Sequence, residues 1–360
     1  MRRLAKSDPM VLCYTEESGE HITSATFPKV KVINVPRHSS RRLHMKDELA
    51  SHNIAFEWLD AVDGLALTRE ELISNSTAMG RYFMTPGMIG CFLSHKKCWE
   101  YCVRSGDPLL VFEDDVVLEK NFCEVVTAAM DKLEKMRISN NDRDHNDKEW
   151  DVLLLGALGC VHPDKKKYGL NLFSCLVGGK WRKTRFVSGL DVDGIENCKK
   201  SCIHVPMCPY ATHAYILSPT GAKKLLQHCP RACYHVDVIA WGLTDLNILA
   251  IHPLLSWQTN DDTTIGGLVH ILRKLRIPRL VADSYTGLEI GWCFSSPLLR
   301  VGGPYFGGNM LLTYGNFLAI MFLGLVVGIL QKSPLLLGLT ATFFLAVASL
   351  IRIISSSWNR

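Results

Sequence analysis

The residues of this sequence that are best suited to chemistry are three consecutive carboxylates. Glu113, Asp114 and Asp115 follow directly on residues 108–112, an apolar run that is typical of a short buried strand. In open α/β sheets ligands bind at the carboxyl ends of the strands, so acidic side chains at this point are placed to hold a cation. Carboxylate oxygens suit Mg²⁺ and Mn²⁺, which neutralise the charge of a departing diphosphate. A solvated edge between a strand and a loop would have the same composition, so the triplet alone leaves both interpretations open.

The elements that must position this triplet follow from the hydrophobic pattern. Alternating or short apolar segments predict strands, and longer segments with one apolar face predict helices. The predicted strands are 29–35, 56–59, 108–112, 150–156 and 211–217, and the predicted helices are 37–52, 88–103 and 219–228. Strands that alternate with helices are typical of an α/β protein with a mostly parallel, helix-covered sheet.

The net charge of the chain says little about its partners. The 360 residues include 40 Lys and Arg against 35 Asp and Glu, a formal charge of +5. Lys332, Arg352 and Arg360 lie in the last 60 residues, which contain no acidic residue, so the first 300 residues carry only +2. A nucleic-acid-binding surface needs clustered basic residues, and this balance therefore argues against a nucleic-acid partner.

The C-terminal tail is apolar enough to predict membrane spans. Residues 310–330 contain no charged side chain, and as a helix they would cover the ~30 Å hydrocarbon core at about 1.5 Å per residue. Residues 334–354 form a second predicted span, so we expect a two-helix transmembrane hairpin, with a pair of buried core helices as the alternative. No signal peptide is visible near the N-terminus, and a hairpin returns the chain to its starting side. We therefore expect a multi-pass membrane protein whose body faces the cytosol, with an endomembrane lumen as the alternative.

The cysteine content leaves the redox compartment open. The chain has 13 cysteines, and five of them lie close together: Cys198, Cys202, Cys208, Cys229 and Cys233. A reducing compartment predicts thiols or a zinc site for this stretch, and an oxidising compartment predicts disulfides. The spacings differ from the Cys-x2-Cys pairs of common zinc knuckles.

Several segments occur in an order that is similar to one enzyme family. They are residues 32–35 with the arginines that follow, 56–64, 90–95 with Trp99, 113–116, 150–151, 212–216, 221–226 and 236–237. Together they resemble glycosyltransferase family 25 over roughly residues 29–267. The resemblance implies a GT-A-like nucleotide-sugar transferase fold and the transfer of a hexose, often galactose, from a UDP-sugar donor to a hydroxyl group. The predicted catalytic domain is 29–300, after an irregular extension at 1–28. It includes a Cys-rich insertion or loop at 159–208, for which the family pattern has no counterpart.

The resemblance suggests roles for residues on the donor side. It implies that Mn²⁺ or Mg²⁺ binds Asp114 and Asp115, and that Asp115 and His95 take part in catalysis. The residues implied in donor binding are Asn34, Arg37, Arg42, Asp63, Ser94 and Glu113. Guanidinium groups clamp phosphates through paired hydrogen bonds, and the N-terminal end of a helix favours anions. Arginines that face solvent, an ordinary Asp-Gly turn and a core histidine are the simpler interpretations of the same residues.

Sugar transfer also needs a base that takes the proton of the acceptor hydroxyl. Asp237 matches the late acidic motif of the family and is the first candidate. Asp245, Asp261 and Asp262 are the alternatives, and His252 with Asp261 and Asp262 would complete a metal shell. His213 is predicted on the acceptor side, although a buried strand histidine is the more ordinary interpretation.

The predicted function is a metal-dependent glycosyltransferase that moves a hexose from UDP to a glycan, lipid or protein hydroxyl. A glycoside hydrolase would use the same carboxylates with water as the acceptor. A membrane scaffold with a decayed transferase domain is the alternative without catalysis.

Overall fold

The computed structural model describes most of the body of the chain and part of its tail. The described residues are 27–84, 86–139, 149–164, 182–190, 192, 201–233, 235–259, 282–283, 288–289, 297–301 and 310–357. The extension predicted at 1–28 lies outside them except for its last two residues. Asp261, Asp262 and Cys198 lie outside them as well.

The elements follow the predicted α/β alternation. The strands are β1 Lys29–Asn34, β2 Glu57–Asp60, β3 Leu109–Glu113, β4 Val116–Leu118, β5 Val152–Cys160, β6 Arg185–Gly189, β7 Cys202–Val205, β8 Cys208–Leu217, β9 Ile248–His252, β10 Ser256–Gln258, β11 Ala282–Asp283, β12 Leu288–Glu289, β13 Pro297–Val301 and β14 Met310–Thr313. The helices are α1 Ser39–Ser51, α2 Arg69–Asn75, α3 Ala78–Phe83, α4 Pro86–Ser105, α5 Phe122–Ser139, α6 Pro219–His228, α7 Val236–Trp241, α8 Tyr314–Leu330 and α9 Pro334–Ser357, with a 3-10 turn at Gly64–Ala66.

The main sheet is mixed rather than mostly parallel. Its eight strands lie in the order β2-β1-β3-β8-β5-β9-β7-β6. β1 is parallel to β2 and β3, and β5 is parallel to β9, but β8 is antiparallel to both β3 and β5. β7 is antiparallel to β9, and β6 is antiparallel to β7. The α/β expectation is confirmed and the mostly parallel sheet is wrong, because a central strand buried on both faces has the same apolar composition in either direction.

Helices cover both faces of this sheet. Alternation along β3 sends Leu109 and Val111 to one face and Leu110 and Phe112 to the other. On the first face the core contains residues of α4 and α6, with Trp99 of α4 fully buried. On the second face the core contains residues of α1 and α5.

The segment predicted as an insertion or loop contributes strands to the sheet. Of residues 159–208, the described parts include β6 and β7, which form the edge of the sheet beside β9. Cys202, Cys208, Cys229 and Cys233 are thiols in the structure.

The C-terminal tail corrects two expectations. Residues 310–313 pair with 297–301 as strand β14, so the first predicted span leaves a helix, α8, of only 17 residues. At about 1.5 Å per residue that helix is roughly 25 Å long, which is less than the ~30 Å hydrocarbon core. Over the part of the chain that the structure describes, no helix combines the length and the apolar character needed to cross a membrane. The transmembrane hairpin predicted at 310–330 and 334–354 is therefore wrong, and so is the expectation of a multi-pass membrane protein.

Candidate active site

The site lies at one edge of the main sheet, where three strands bring polar residues together. Asn34 ends β1 and Glu113 ends β3, and these strands are parallel, so their carboxyl ends meet at the same edge. β8 runs in the opposite direction and pairs Ala214 with Phe112, which brings Thr212 to that edge as well. The acidic triplet therefore lies at the carboxyl end of a buried strand, as the sequence pattern predicted. The pattern did not reveal the direction of β8.

Arg41 holds the second and third carboxylates of the triplet. Its Nη1 donates to Asp114 Oδ1 at 2.6 Å and lies 3.5 Å from Asp115 Oδ2. Burial lowers the pKa of Arg41, but the charges of Asp114 and Asp115 outweigh this effect and raise it. Asn34 Nδ2 donates to the other Asp114 oxygen at 2.7 Å. Both oxygens of Asp114 therefore have protein partners, and each keeps a second lone pair for a metal.

Asp115 is a buried carboxyl group with incomplete charge compensation. Gln258 Nε2 donates to its Oδ1 at 3.2 Å. Burial and the negative charge of Glu113 raise the pKa of Asp115 to about 7, and the opposing effect of Arg41 is not large enough to cancel them. A cation beside Asp115 would remove this repulsion.

Glu113 is the most highly connected member of the triplet. Its Oε1 accepts from Thr212 Oγ1 at 2.7 Å and lies 3.2 Å from His95 Nε2, and its Oε2 lies 3.4 Å from Gln258 Nε2. Burial raises the pKa of Glu113, but the hydrogen bonds and charge of His95 and the hydrogen bond of Thr212 outweigh burial and lower it. Glu113 is therefore a stable anion, in contrast to Asp115.

His95 is fixed by the core behind it. Its Nδ1 lies 3.0 Å from the hydroxyl of Tyr215, and the same hydroxyl accepts from Trp99 Nε1 at 3.3 Å. The side chain is 1% exposed, and its Nε2 is directed at Glu113. The structure thus brings His95 into contact with the acidic cluster, whereas its predicted contact was with phosphate or sugar.

Helix α4 reaches this position because glycines permit a close approach. A Cβ on Gly90 would lie 2.4 Å from Val62 O and 2.7 Å from Gly64 N. Ser94 reinforces the contact, because its hydroxyl accepts from Val62 N at 2.8 Å and donates to Gly90 O at 2.7 Å. The described contacts of Ser94 thus hold α4 against the loop after β2, whereas its predicted role was donor binding.

The remaining donor-side candidates lie around α1 and the turn before α2. Arg37 forms an ion pair with Asp63, and Asp63 also caps the 3-10 turn by accepting from Leu65 N at 3.1 Å. Arg42 lies 3.7 Å from Asp60 and places its guanidinium over the ring of Trp58.

The acceptor-side and base candidates occupy different surroundings. His213 is buried, its Nδ1 has no hydrogen-bond partner, and burial lowers its pKa against the opposing charge of Glu113. Asp237 is buried and accepts from Ala211 N at 2.9 Å and Val238 N at 2.8 Å. Ala211 has a φ of 65°, so Asp237 supports a strained backbone position.

Asp245, an alternative candidate for the base, and His252, an alternative metal ligand, contact other side chains. Asp245 pairs with exposed His228 at 2.7 Å. His252 contacts the ring of His162 at 4.5 Å between centroids and that of His204 at 6.2 Å.

Four members of the site carried no predicted role: Arg41, Cys91, Thr212 and Gln258. Cys91 lies one helical turn before His95, and its Sγ is within 4.8 Å of the nearest ligand atoms of His95 and Glu113. Burial, followed by the charges of Glu113 and Asp237, raises the pKa of the Cys91 thiol well above its ordinary value. The four-residue spacing of Cys91 and His95 predicts that both lie on one face of a helix. That Glu113 faces both of them is seen only in the structure.

Comparison with known proteins identifies the class to which this fold and site belong. The family described as glycosyltransferase family 25 (LPS biosynthesis protein) matches residues 27–240. The chain therefore belongs to glycosyltransferase family 25, and the resemblance found in the motif order is confirmed.

The relatives include proteins named as inactive and proteins named as procollagen galactosyltransferases. Inactive glycosyltransferase 25 family member 3 of Homo sapiens is 31% identical over 214 residues, which are 57% of this chain and 29% of that protein. Procollagen galactosyltransferase 2 of Homo sapiens is 29% identical over 139 residues, or 36% of this chain and 21% of that protein. Procollagen galactosyltransferase 1 of Danio rerio is 31% identical over 140 residues, with the same two coverages of 36% and 21%. The chain thus spans less than a third of the length of these relatives.

Proposed function

We propose that the chain is a metal-dependent hexosyltransferase that moves a sugar, with galactose as the first choice, from a UDP-sugar to a hydroxyl of a glycan, lipid or protein. The observation that carries the proposal is the cluster of Glu113, Asp114 and Asp115 at the sheet edge, where Arg41 pairs with Asp114 and Asp115 and His95 contacts Glu113. Family membership and the galactosyltransferases among the relatives support the reaction class.

The cluster fits a hard divalent cation, Mn²⁺ or Mg²⁺. Asp115 and Oε2 of Glu113 share Gln258 as a hydrogen-bond partner, so their oxygens face a common space. Asn34 Oδ1 is buried without a hydrogen-bond partner and adds an acceptor oxygen at the same edge. Such oxygen-rich sites suit Mg²⁺ and Mn²⁺. When bound, the cation would stabilise the charge of the leaving diphosphate.

The donor phosphates would bind beside this cation. Arg37 and Arg42 have side chains that are 49% and 34% exposed, so both are accessible to a ligand. Each forms an ion pair at an exposed position, and such pairs contribute little, so a phosphate can replace the carboxylate partner at small cost.

Asp237 stays the first candidate for the base. Each of its two oxygens accepts from a backbone N–H group and keeps a second lone pair for the acceptor hydroxyl. His213, with a buried Nδ1 that has no partner, is the nearby group proposed to face the acceptor.

A second candidate function is sugar-nucleotide binding without transfer. The relatives named inactive favour it, since they match over more of this chain than the procollagen galactosyltransferases do. Both candidates require the metal and the nucleotide to bind, and they differ in turnover.

A screen of UDP-sugars with Mn²⁺, read as UDP release with and without added acceptors, tests the proposal. Acceptor-dependent release supports a transferase, and release that is independent of the acceptor supports the hydrolase alternative. UDP binding without release with every donor and acceptor supports the second candidate. Absence of both binding and release would contradict the proposal.

A further inference from the structure

Three different types of metal ligand meet around the carboxylate group of Glu113. Cys91 and His95 are four residues apart on α4 and therefore lie on one face of the helix. Their ligand atoms and a carboxylate oxygen of Glu113 all lie within 4.8 Å of one another. Cys91 is intermediate in exposure, and His95 is buried.

The spacing of these atoms suits a tetrahedral ion. His95 Nε2 and Glu113 Oε1 are 3.2 Å apart. Two ligands at about 2.0–2.1 Å from a tetrahedral zinc ion are separated by roughly 3.3 Å, so this pair already has the required distance. The Cys91 thiol lies within 4.8 Å of the ligand atoms of both residues.

The residues behind the cluster hold the ligands in the orientation that a metal needs. A histidine that ligates through Nε2 carries its proton on Nδ1 and donates it to a fixed acceptor. Here Tyr215 provides that acceptor at 3.0 Å, and Trp99 fixes the hydroxyl in turn. Thr212 orients the Glu113 carboxylate through its 2.7 Å hydrogen bond.

The chemistry of the ligands distinguishes this cluster from the oxygen-rich site beside Asp115. A thiolate and an imidazole favour zinc over Mg²⁺ or Mn²⁺.

We propose that Cys91, His95 and Glu113 bind a Zn²⁺ ion through three protein ligands, with the fourth tetrahedral position open to water. Glu113 would then lie between two sites, with Oε1 toward the zinc and Oε2 toward Gln258 and Asp115. The inference does not depend on the proposed transferase activity, because metal binding is measured on the protein alone.

Cobalt substitution tests the site directly. The purified metal-free protein is titrated with Co²⁺ under reducing conditions while its absorption spectrum is recorded. We expect a thiolate-to-cobalt charge-transfer band in the near ultraviolet, with visible bands of a tetrahedral ion, at one equivalent. Zn²⁺ should remove these bands, and a large excess of Mg²⁺ should leave them unchanged. A wild-type protein without the bands, or one that loses them to Mg²⁺, would overturn the proposal.

Variants assign the ligands. Cys91→Ser should abolish the charge-transfer band, and the matched variant Cys202→Ser, at another partly exposed thiol, should keep it. Tyr215→Phe should keep the band but weaken Zn²⁺ affinity by about 10- to 100-fold, the usual effect of losing an outer partner of a ligand. Persistence of the band in Cys91→Ser would contradict the assignment. The wild-type titration decides the proposal even if a variant fails to fold.

Discussion

Arg41 is the residue that allows the acidic cluster to exist in a folded protein. Its side chain is 16% exposed, and it neutralises Asp114 at 2.6 Å while acting on Asp115 at 3.5 Å. Removing one partner of a buried charge pair leaves the other charge without compensation, which is much more costly than losing an exposed pair.

The two adjacent arginines provide a matched test. Arg41→Gln should lower the free energy of unfolding by about 3 kcal/mol, because two buried carboxylates lose their cation. Arg42→Gln should lower it by less than about 1 kcal/mol, because the pair of Arg42 with Asp60 is exposed. Urea denaturation followed by circular dichroism measures both values. Similar losses in the two variants would show that Arg41 does not carry this role.

Arg37, Arg41 and Arg42 illustrate how much of the site could be predicted from the sequence. The triplet was found by residue type and position, and Asn34 and His95 through the family resemblance; the structure brings them together. Arg37 and Arg42 were preferred for phosphate, yet Arg41 reaches the triplet, since it lies four residues before the fully buried Met45 on α1. That helix phase was readable from the sequence. The role of Gln258 was not, because it depends on the pairing of β10 with β4, more than 100 residues away.

Helix α4 positions the site through contacts that tolerate no added atoms. Gly90 packs against the carbonyl of Val62, and Cys91 and His95 follow it directly on the same helix. The position of both ligands therefore depends on the approach of α4 to the loop after β2.

Gly90→Ala should move α4 and destabilise the fold. An added Cβ would lie 2.4 Å from a backbone oxygen, so the helix or the loop must shift, with a cost of about 1–3 kcal/mol. Thermal unfolding should show a lower Tm, while Gly189→Ala, where an added Cβ meets no atom within 4 Å, should leave Tm nearly unchanged. An unchanged Tm for Gly90→Ala would contradict the close packing.

Strands β7 and β9 contain a second titratable cluster, formed by His204 and His252 with His162 beside them. Burial is the main cause that lowers the pKa of His204 to about 4, and His162 adds to it. Burial likewise lowers the pKa of His252 to about 4, with contributions from His162 and His204. His204 Nε2 lies 2.6 Å from Val161 O, so the neutral ring is held as a donor.

The contribution of His204 to the stability of the protein should be lost in mild acid. A pKa of about 4 in the folded state lies below the ordinary 6.5, so the unfolded state binds protons first as the pH falls. The contribution of neutral His204 is therefore complete above pH 6.5 and is lost progressively between pH 6.5 and 4. It should decrease by about 2 kcal/mol between pH 7 and 5. Urea denaturation at several pH values measures this loss.

His204→Gln should flatten that pH dependence, because glutamine keeps a donor for Val161 but does not titrate. His228→Gln, at an exposed position, should leave it unchanged. An equally steep acid loss in His204→Gln would show that another group is responsible.

The molecule as a whole combines a correctly predicted family with a sheet that sequence patterns described only in part. The order of the motifs identified family 25, and the predicted helix at 219–228 has the bounds of α6. The directions of the strands and the structure of the C-terminal tail could not be predicted from the sequence, because both depend on long-range pairing. Residues 310–313 have the hydropathy of a helix within a membrane, but they pair with 297–301 as a strand. Local hydropathy contains no information about such a partner.

The central claim is that the carboxylate cluster binds a metal and a sugar nucleotide for transfer. The most direct test measures Mn²⁺-dependent UDP binding by calorimetry in the wild-type protein, in Asp115→Asn and in Asp107→Asn. Asp107 is an exposed carboxylate that pairs with Lys29 and lies in the loop before β3, so its variant is the control. We predict that UDP binds the wild type and the Asp107 variant only with Mn²⁺, and that Asp115→Asn loses at least 10-fold in affinity. Equal Mn²⁺-dependent binding in Asp115→Asn and the wild type, or UDP binding that needs no metal, would contradict this account.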